Sequence, residues 1–377
     1  MIRTSFLCTF LEDVILNAKT ATEGGSECLD FVPGSNFLGV IAKRYNEFQK
    51  DDKAYEVFHS GRVRFGDAHL FQNEERSLKV PASWYHEKGT SLDGSRIWVH
   101  GFISEDEVGE VQLKQARSGY FLPGSGHLID PEFFFSLKSA RDRSTRRAEE
   151  GQLFGYTSLR KGSEWCFNLE CEDESLAERV KQLLTGVHHF GRSRTAQYGT
   201  AEVREISSEN IVGDASSVSG EVLLYAESRL ALTDEFLLPT ALPSTAALGL
   251  PDGSFIDKDK SQIRTYRYAP WNYKRKRRDA DRICIEKGSV IAVRLSRPIS
   301  SDHFQYGVGA YRAEGLGKVI LNPSFLKADS NGLLAGLTLG RRDYVNAEKE
   351  TVMRSDPHSH NAKLIEWIKR EEVRRRT

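Results

Sequence analysis

A glycine-rich motif that occurs twice limits what this chain can fold into. The first copy is Gly191–Gly199, GRSRTAQYG, and the second is Gly307–Gly317, GVGAYRAEGLG. Each leads into a stretch that reads as a strand. After the first, Ala201 and Val203 alternate with Glu202 and Arg204; after the second comes Lys318–Leu321. Each copy also closes a half that opens on an apolar strand, SFLCTFLEDVIL at Ser5–Leu16 and EVLLYAESRLAL at Glu221–Leu232. A strand at the start, then a glycine loop and strand at the end, twice over, is the pattern of an internal duplication. Two unrelated halves sharing a loop style is the alternative.

The elements between these landmarks point to a mixed fold. Phe6, Cys8 and Phe10 alternate with Leu7 and Leu11, as in a strand central in a sheet. Ser35 or Asn36 can cap a helix whose apolar face is Phe37, Leu38, Ile41, Ala42, Tyr45 and Phe48, with Lys43 and Arg44 on the other side. Leu176, Val180, Leu183 and Leu184 fall at helical spacing. Gly191–Gly199 is therefore expected as a helix-to-strand loop. Strand, Gly/Pro turn, helix and strand in that order match a ferredoxin-like unit. The expected fold class is α+β: two ferredoxin-like (RRM-like) units with insertions and glycine-rich loops. The first would span 1–206, with an insertion over 60–165. A polar, Ser-rich linker follows at 207–220, the second unit at 221–325, and an extension with a basic helix at 326–377. That helix, with Leu364, Ile365 and Ile368 on one face, can dock on a partner or fray in solvent.

Charge narrows the function. Lys+Arg and Asp+Glu both number 53, so the chain is neutral and any nucleic-acid contact must be local. Local cations are present. Arg192 and Arg194 flank Ser193 in the first motif, where Tyr198 offers a face for a base. Arg143, Arg146 and Arg147 cluster beside Glu149 and Glu150, and Lys274 to Arg278 are consecutive cations next to Trp271 and Tyr273. Tyr311 and Arg312 lie in the second motif. A turn with surface arginines is the plainer reading of each taken alone. The five cysteines are scattered and no signal peptide precedes them, so reduced thiols, a cytoplasmic protein and no membrane span are expected.

Catalytic motifs are missing: there is no Walker A, GxSxG, HExxH or paired CxxC. His188 and His189 are adjacent and point to opposite faces of a strand, so they make no natural chelate. His69, near Asp67, is the nearest thing to a general base. No cofactor, metal or catalytic residue is expected.

Pro33-Gly34-Ser35 at the head of the first helix, GRSRTAQYG before a strand, and GVGAYRAEGLGKV later in the chain resemble the RAMP superfamily of CRISPR-associated proteins. VRFGDAHL at 63–70, RSTRRAEEGQLFGY at 143–156 and the run from Trp271 to Asn322 look like the subtype III-D RAMP subunit, related to the subunit that caps the five-prime handle of the guide RNA. The resemblance covers residues 1–325. It implies guide-RNA (crRNA) binding, contacts with a large polymerase-like subunit and backbone RAMP subunits, access to target nucleic acid through the complex, and no catalytic residues. Carried onto this chain, the RNA-binding residues would be Gly191, Arg192, Ser193, Arg194, Tyr198 and Gly199, then Gly307, Gly309, Arg312, Gly315 and Gly317. Pro33, Gly34 and Ser35 would offer a phosphate the helix N-terminus. Lys43, Arg44, Arg143, Arg146, Arg147, Trp271, Lys274 and Arg275 would add charge and stacking. Glu314 sits beside only Arg312 and Lys318, so packing of the second loop against protein is the alternative there. Two other functions stand beside RNA binding: a metal-independent RNA endonuclease that processes guide precursor, and a protein-only assembly scaffold.

Overall fold

The computed structural model describes residues 1–18, 25–103, 109, 111–141, 148–194, 197–207, 217–272 and 274–341. Arg143, Arg146, Arg147, Tyr273, most of the expected linker and the basic C-terminal helix lie outside the described residues.

Residues 1–206 are built on β1 (Ile2–Phe10), α1 (Gly34–Ile41), α2 (Tyr45–Lys50), α3 (Ala54–Phe58), β2 (Val63–Phe65), β3 (His69–Gln72), β4 (Phe133–Arg141), β5 (Ala148–Leu159), β6 (Glu164–Cys171), α4 (Glu174–Leu184), β7 (Gly186–His189) and β8 (Thr200–Ile206). The main sheet runs β7-β8-β1-β6-β3, and β2 also pairs with β6. All of these pairings are antiparallel. Strand alternation sorts the side chains. Phe6, Cys8, Phe10, Trp165, Phe167 and Leu169 belong to one core with α1 and α4, where Phe37 stacks on Phe167 at 3.7 Å. The other face carries Ser5, Asn168 and Glu170, which are buried despite being polar.

The second half contains β9 (Glu221–Ala226), β10 (Phe255–Gln262), β11 (Thr265–Tyr268), β12 (Trp271–Asn272), β13 (Arg277–Arg278), β14 (Arg282–Ile285), β15 (Val290–Arg294) and β16 (Val319–Leu321). Its sheet runs β10-β15-β9-β16 and is antiparallel throughout. The order repeats that of β3-β6-β1-β8. Registers match as well: Phe10 pairs with Ala201 and Ala226 with Val319, each partner two residues beyond its loop's last glycine.

The helices do not repeat. Among the described residues after 221 there are only the 3-10 turns Arg312–Glu314 and Ser324–Leu326. The second sheet is covered by other means. Leu230, Leu232, Leu248, Phe304 and Val308 pack on one face. Leu78, Val80, Trp84 and Phe121, from the stretch expected as an insertion in the first half, pack with Tyr225, Val290 and Phe325 on the other. Trp84 Nε1 donates to Phe325 O at 3.1 Å, and Tyr225 Oη to Lys79 O at 2.5 Å. The molecule is mostly β with few helices, so the balanced α+β expectation is too helical.

Two local expectations change. The first helix starts at Gly34 with Pro33 as N-cap, and neither Ser35 nor Asn36 caps it by a side chain. Proline has no N–H to satisfy and its φ of −60° leads into the helix. The helix also breaks into a 3-10 turn at Ala42–Arg44 before α2. No helix among the described residues is long and apolar enough to cross a membrane.

Candidate nucleic-acid interface

The two glycine loops are built alike, bond for bond. Phe190 N donates to Gly199 O at 2.8 Å, Arg192 N to Ile15 O at 3.0 Å and Gly199 N to Asp13 O at 2.8 Å. In the second loop Val308 N donates to Gly317 O, Ala310 N to Ala231 O and Gly317 N to Arg229 O, each at 2.8 Å. The φ angles repeat: 70° and 72° at Gly191 and Gly309, 55° and 60° at Ser193 and Tyr311, 93° and 91° at Gly199 and Gly317. A Cβ on Gly191 would lie 2.2 Å from Ile15 O, and one on Gly309 2.3 Å from Ala231 O. The glycines are thus required by the chain segment following the first strand of each half, whose carbonyls press on the loop.

This register assigns every loop side chain a counterpart. Arg194 corresponds to Arg312, Arg192 to Ala310, Ser193 to Tyr311 and Tyr198 to Leu316. Arg192 is exposed, with its guanidinium 5.0 Å from the Tyr156 ring centroid; Arg194 is half-buried. Tyr198 is not an open stacking face. It is 7% exposed, like Leu316 at 8%, and its hydroxyl lies 2.9 Å from Ser136 Oγ. The first loop is also not a helix-to-strand connection. Gly186, at φ 116°, turns the chain out of α4, and Gly186–His189 pairs with β8, so Gly191–Gly199 closes a β-hairpin.

Pro33-Gly34-Ser35 lies at the seam between the halves. The Gly34 amide, the free donor at the helix N-terminus, donates to Asp67 Oδ1 at 3.0 Å. That anion position is filled by the protein's own carboxylate. A Cβ on Gly34 would meet Phe65 O at 1.8 Å and Glu314 O at 2.6 Å. Gly34 is buried packing between the first helix and the second loop, with Pro33 and Ser35 half-buried beside it.

The seam is an ion-pair layer. Lys287 Nζ is 2.9 Å from Asp67 Oδ2 and 3.1 Å from His69 Nε2. His69 Nδ1 is 2.9 Å from Ser77 O, so that nitrogen is the donor and Nε2 accepts from the lysine. Burial, with Arg76 and Lys287 nearby, pushes the His69 pKa well below its ordinary value. Fully buried, with its lone pair occupied, His69 cannot reach a substrate proton. Burial pulls Lys287 down to about 8 against the pull of Asp67. Arg76 Nη1 reaches Glu227 Oε1, and Lys318 Nζ reaches Glu170 Oε1, both at 2.7 Å. Burial would raise the Glu227 carboxyl, but Lys318 and Arg76 overcome it and hold it at about 2.

Glu314 belongs to a similar pair. Arg282 grips it with both terminal nitrogens, at 2.7 and 2.8 Å. Its charge is neutralised within the protein, so it does not oppose an anion at the second loop. No sequence signal marks this pair, whose members lie 32 residues apart.

Lys43, Arg44, Lys274 and Arg275 are on the surface. Lys43 and Arg44 are exposed in the turn after α1, and Arg44 pairs with Glu47 at 2.8 Å. Trp271, 59% exposed, opens the hairpin of β12 and β13, whose turn carries Lys274, Arg275 and Lys276. Arg275 pairs with Asp279 at 3.1 Å. His189 is exposed and His188 half-buried, with His188 Nε2 at 2.8 Å from Leu184 O. Among the described residues no three His, Cys, Asp or Glu side chains gather as a metal site would need.

Fold and loops together define a β-rich protein with two like-ordered sheets, each ending on a glycine loop that leads into its last strand. No protein-family model matches the chain, and no curated protein matches it. Several solved structures are similar. A chain of the cryo-EM structure of the Type III-B Cmr-beta bound to cognate target RNA is 12% identical, over 76% of this chain and 86% of that one, with a TM-score of 0.44. A chain of the Csm3-Csm4 subcomplex in the type III-A CRISPR-Cas interference complex is 11% identical over 85% and 99%, at 0.39. A RAMP protein binding different RNA substrates is 7% identical over 85% and 99%, at 0.36.

Proposed function

We propose that this chain is a guide-RNA-binding structural subunit of the RAMP type, working in a type III CRISPR effector ribonucleoprotein. Both halves, 1–206 and 221–325, are in this reading ferredoxin-like units, the second with its helices replaced by the packing of Leu230, Leu232, Leu248, Phe304 and Val308. The observation that carries the reading is the bond-for-bond repetition of the two glycine loops, each holding a cation at one register position, Arg194 and Arg312. Positive-φ backbone without side chains lets a nucleic-acid backbone approach closely, and arginine forks suit phosphate oxygens. Arg192 adds a second cation to the first loop only, so that loop takes the larger share of the guide. Trp271, Lys274 and Arg275 supply a further cationic and stacking surface. The five-prime handle is the segment held, and the large polymerase-like subunit and backbone RAMP subunits are the protein partners. His69, enclosed and engaged at both ring nitrogens, does not supply the base for processing of guide precursor.

The test is Arg192→Ala/Arg194→Ala protein assembled with its partners. Guide occupancy should fall, and the slope of log affinity against log salt should flatten by about 0.7 per lost phosphate contact. Unchanged occupancy and slope would remove the first loop from the interface.

A further inference from the structure

Between Tyr306 and Arg312 the second loop presents two exposed tyrosines, each backed by a buried guanidinium. Tyr311 is 45% exposed, and the Arg282 guanidinium lies 3.7 Å from its ring centroid. Arg282 is itself 8% exposed and locked on Glu314. Tyr306 is also 45% exposed, with the Arg64 guanidinium 5.5 Å from its ring. Arg64 is 5% exposed and held by Glu170 and Glu172. Arg312 follows Tyr311 in the chain and donates from Nη1 to Tyr306 O at 3.1 Å.

We propose that Tyr306, Tyr311 and Arg312 form a binding site for two consecutive unpaired nucleobases and the phosphate between them. The inference rests on the RNA-binding reading above and adds a base-stacking site to it. Three features support it. A cation fixed against one ring face immobilises each tyrosine and leaves the opposite face for another planar group. Both backing arginines are already neutralised by carboxylates, so the cation left to meet a phosphate here is Arg312. Tyr311 is also held at φ 60°, a left-handed conformation unfavourable for any residue with a Cβ. Such strain persists where surrounding structure enforces it, and it clusters at binding sites. A folded protein partner would cover apolar side chains, whereas this loop offers tyrosines set among cations. Unpaired bases, with two flat faces and a charged backbone, fit that chemistry.

The experiment uses the purified full chain and a single-stranded oligouridylate carrying 4-thiouridine. Photocrosslinks should map to Tyr306 and Tyr311. Tyr306→Leu and Tyr311→Leu should each weaken binding about tenfold, while the phenylalanine variants at both positions stay within about twofold of wild type. Leucine leaves the Arg282–Glu314 and Arg64–Glu170 pairs in place, and retained thermal stability checks that it does. If both leucine variants bind like wild type while Arg192→Ala/Arg194→Ala does not, this site is wrong and the general reading stands. If they bind RNA normally but fail to join partner subunits, the tyrosines are a protein contact and the inference also falls. If wild type captures no oligouridylate, both fall together.

Discussion

At the scale of single residues, what matters most is what stands beside each glycine. Gly191 and Gly309 have positive φ and a carbonyl where a Cβ would go, whereas Gly89 has positive φ and open space. Left-handed strain alone costs roughly 1–2 kcal/mol. Gly191→Ala and Gly309→Ala should each lose about 2–4 kcal/mol of stability, and Gly89→Ala only the strain component. Urea midpoints measure this, and equal losses at all three positions would contradict the packing argument. Tyr198 illustrates the limit of reading residues singly. An aromatic in a basic glycine loop invites a stacking role, but its register partner is Leu316 and both are buried. The sequence spacing that defines that register was available, since the paired glycines lie eight residues apart in both loops (191 to 199, 309 to 317). Burial was not, because Ser136, which meets the hydroxyl, lies 62 residues away.

Among the elements, those fixed by local pattern were legible. The alternation in β1, the helical face of α4 and the strand after each loop all follow from side-chain period. β7 was legible only at His188 and His189, because a four-residue strand gives too few alternations to show that it pairs with β8 across the loop. The ion-pair seam, whose members lie far apart in the chain, as do Asp67 and Lys287, was not legible. The seam makes stability depend on pH in a defined direction. Glu227 is held at about 2 against an ordinary 4.5. A depressed carboxylate contributes stability that is full above its unfolded value and is lost as pH falls toward its folded one. Wild type should therefore lose up to about 3 kcal/mol from this group between pH 5 and 2. Glu227→Gln should be less stable at pH 6, and its melting temperature should change less over the acid range. Parallel melting curves for the two proteins across that range would refute the assignment.

Over the whole molecule, neutrality and local charge coexist because the seam's acids and cations cancel one another while the surface cations are unevenly placed. Asp67, Glu170, Glu227, Glu286 and Glu314 are each paired to a cation at or near the seam. Meanwhile the β12–β13 hairpin carries Lys274, Arg275, Lys276, Arg277 and Arg278 at the surface. Replacing two of these cations, Lys274→Gln with Arg277→Gln, isolates their charge and leaves the Arg275–Asp279 pair in place. That double variant should keep wild-type thermal stability and weaken RNA binding, with the difference shrinking at high salt as exposed charges are screened. A salt-independent difference would mean that the hairpin acts by shape instead of charge.

The cover of the second sheet also has a consequence in time. Trp84 and Phe121 belong to a stretch made well before β9 and β15, the strands whose face they cover. At ordinary rates of synthesis the wait between Phe121 and Val290 is roughly 10–30 s. During that interval a nascent chain holds an apolar surface with nothing to lie against. The halves are alike in plan but unequal in the order of their making. The second can close only on material that the first has kept ready.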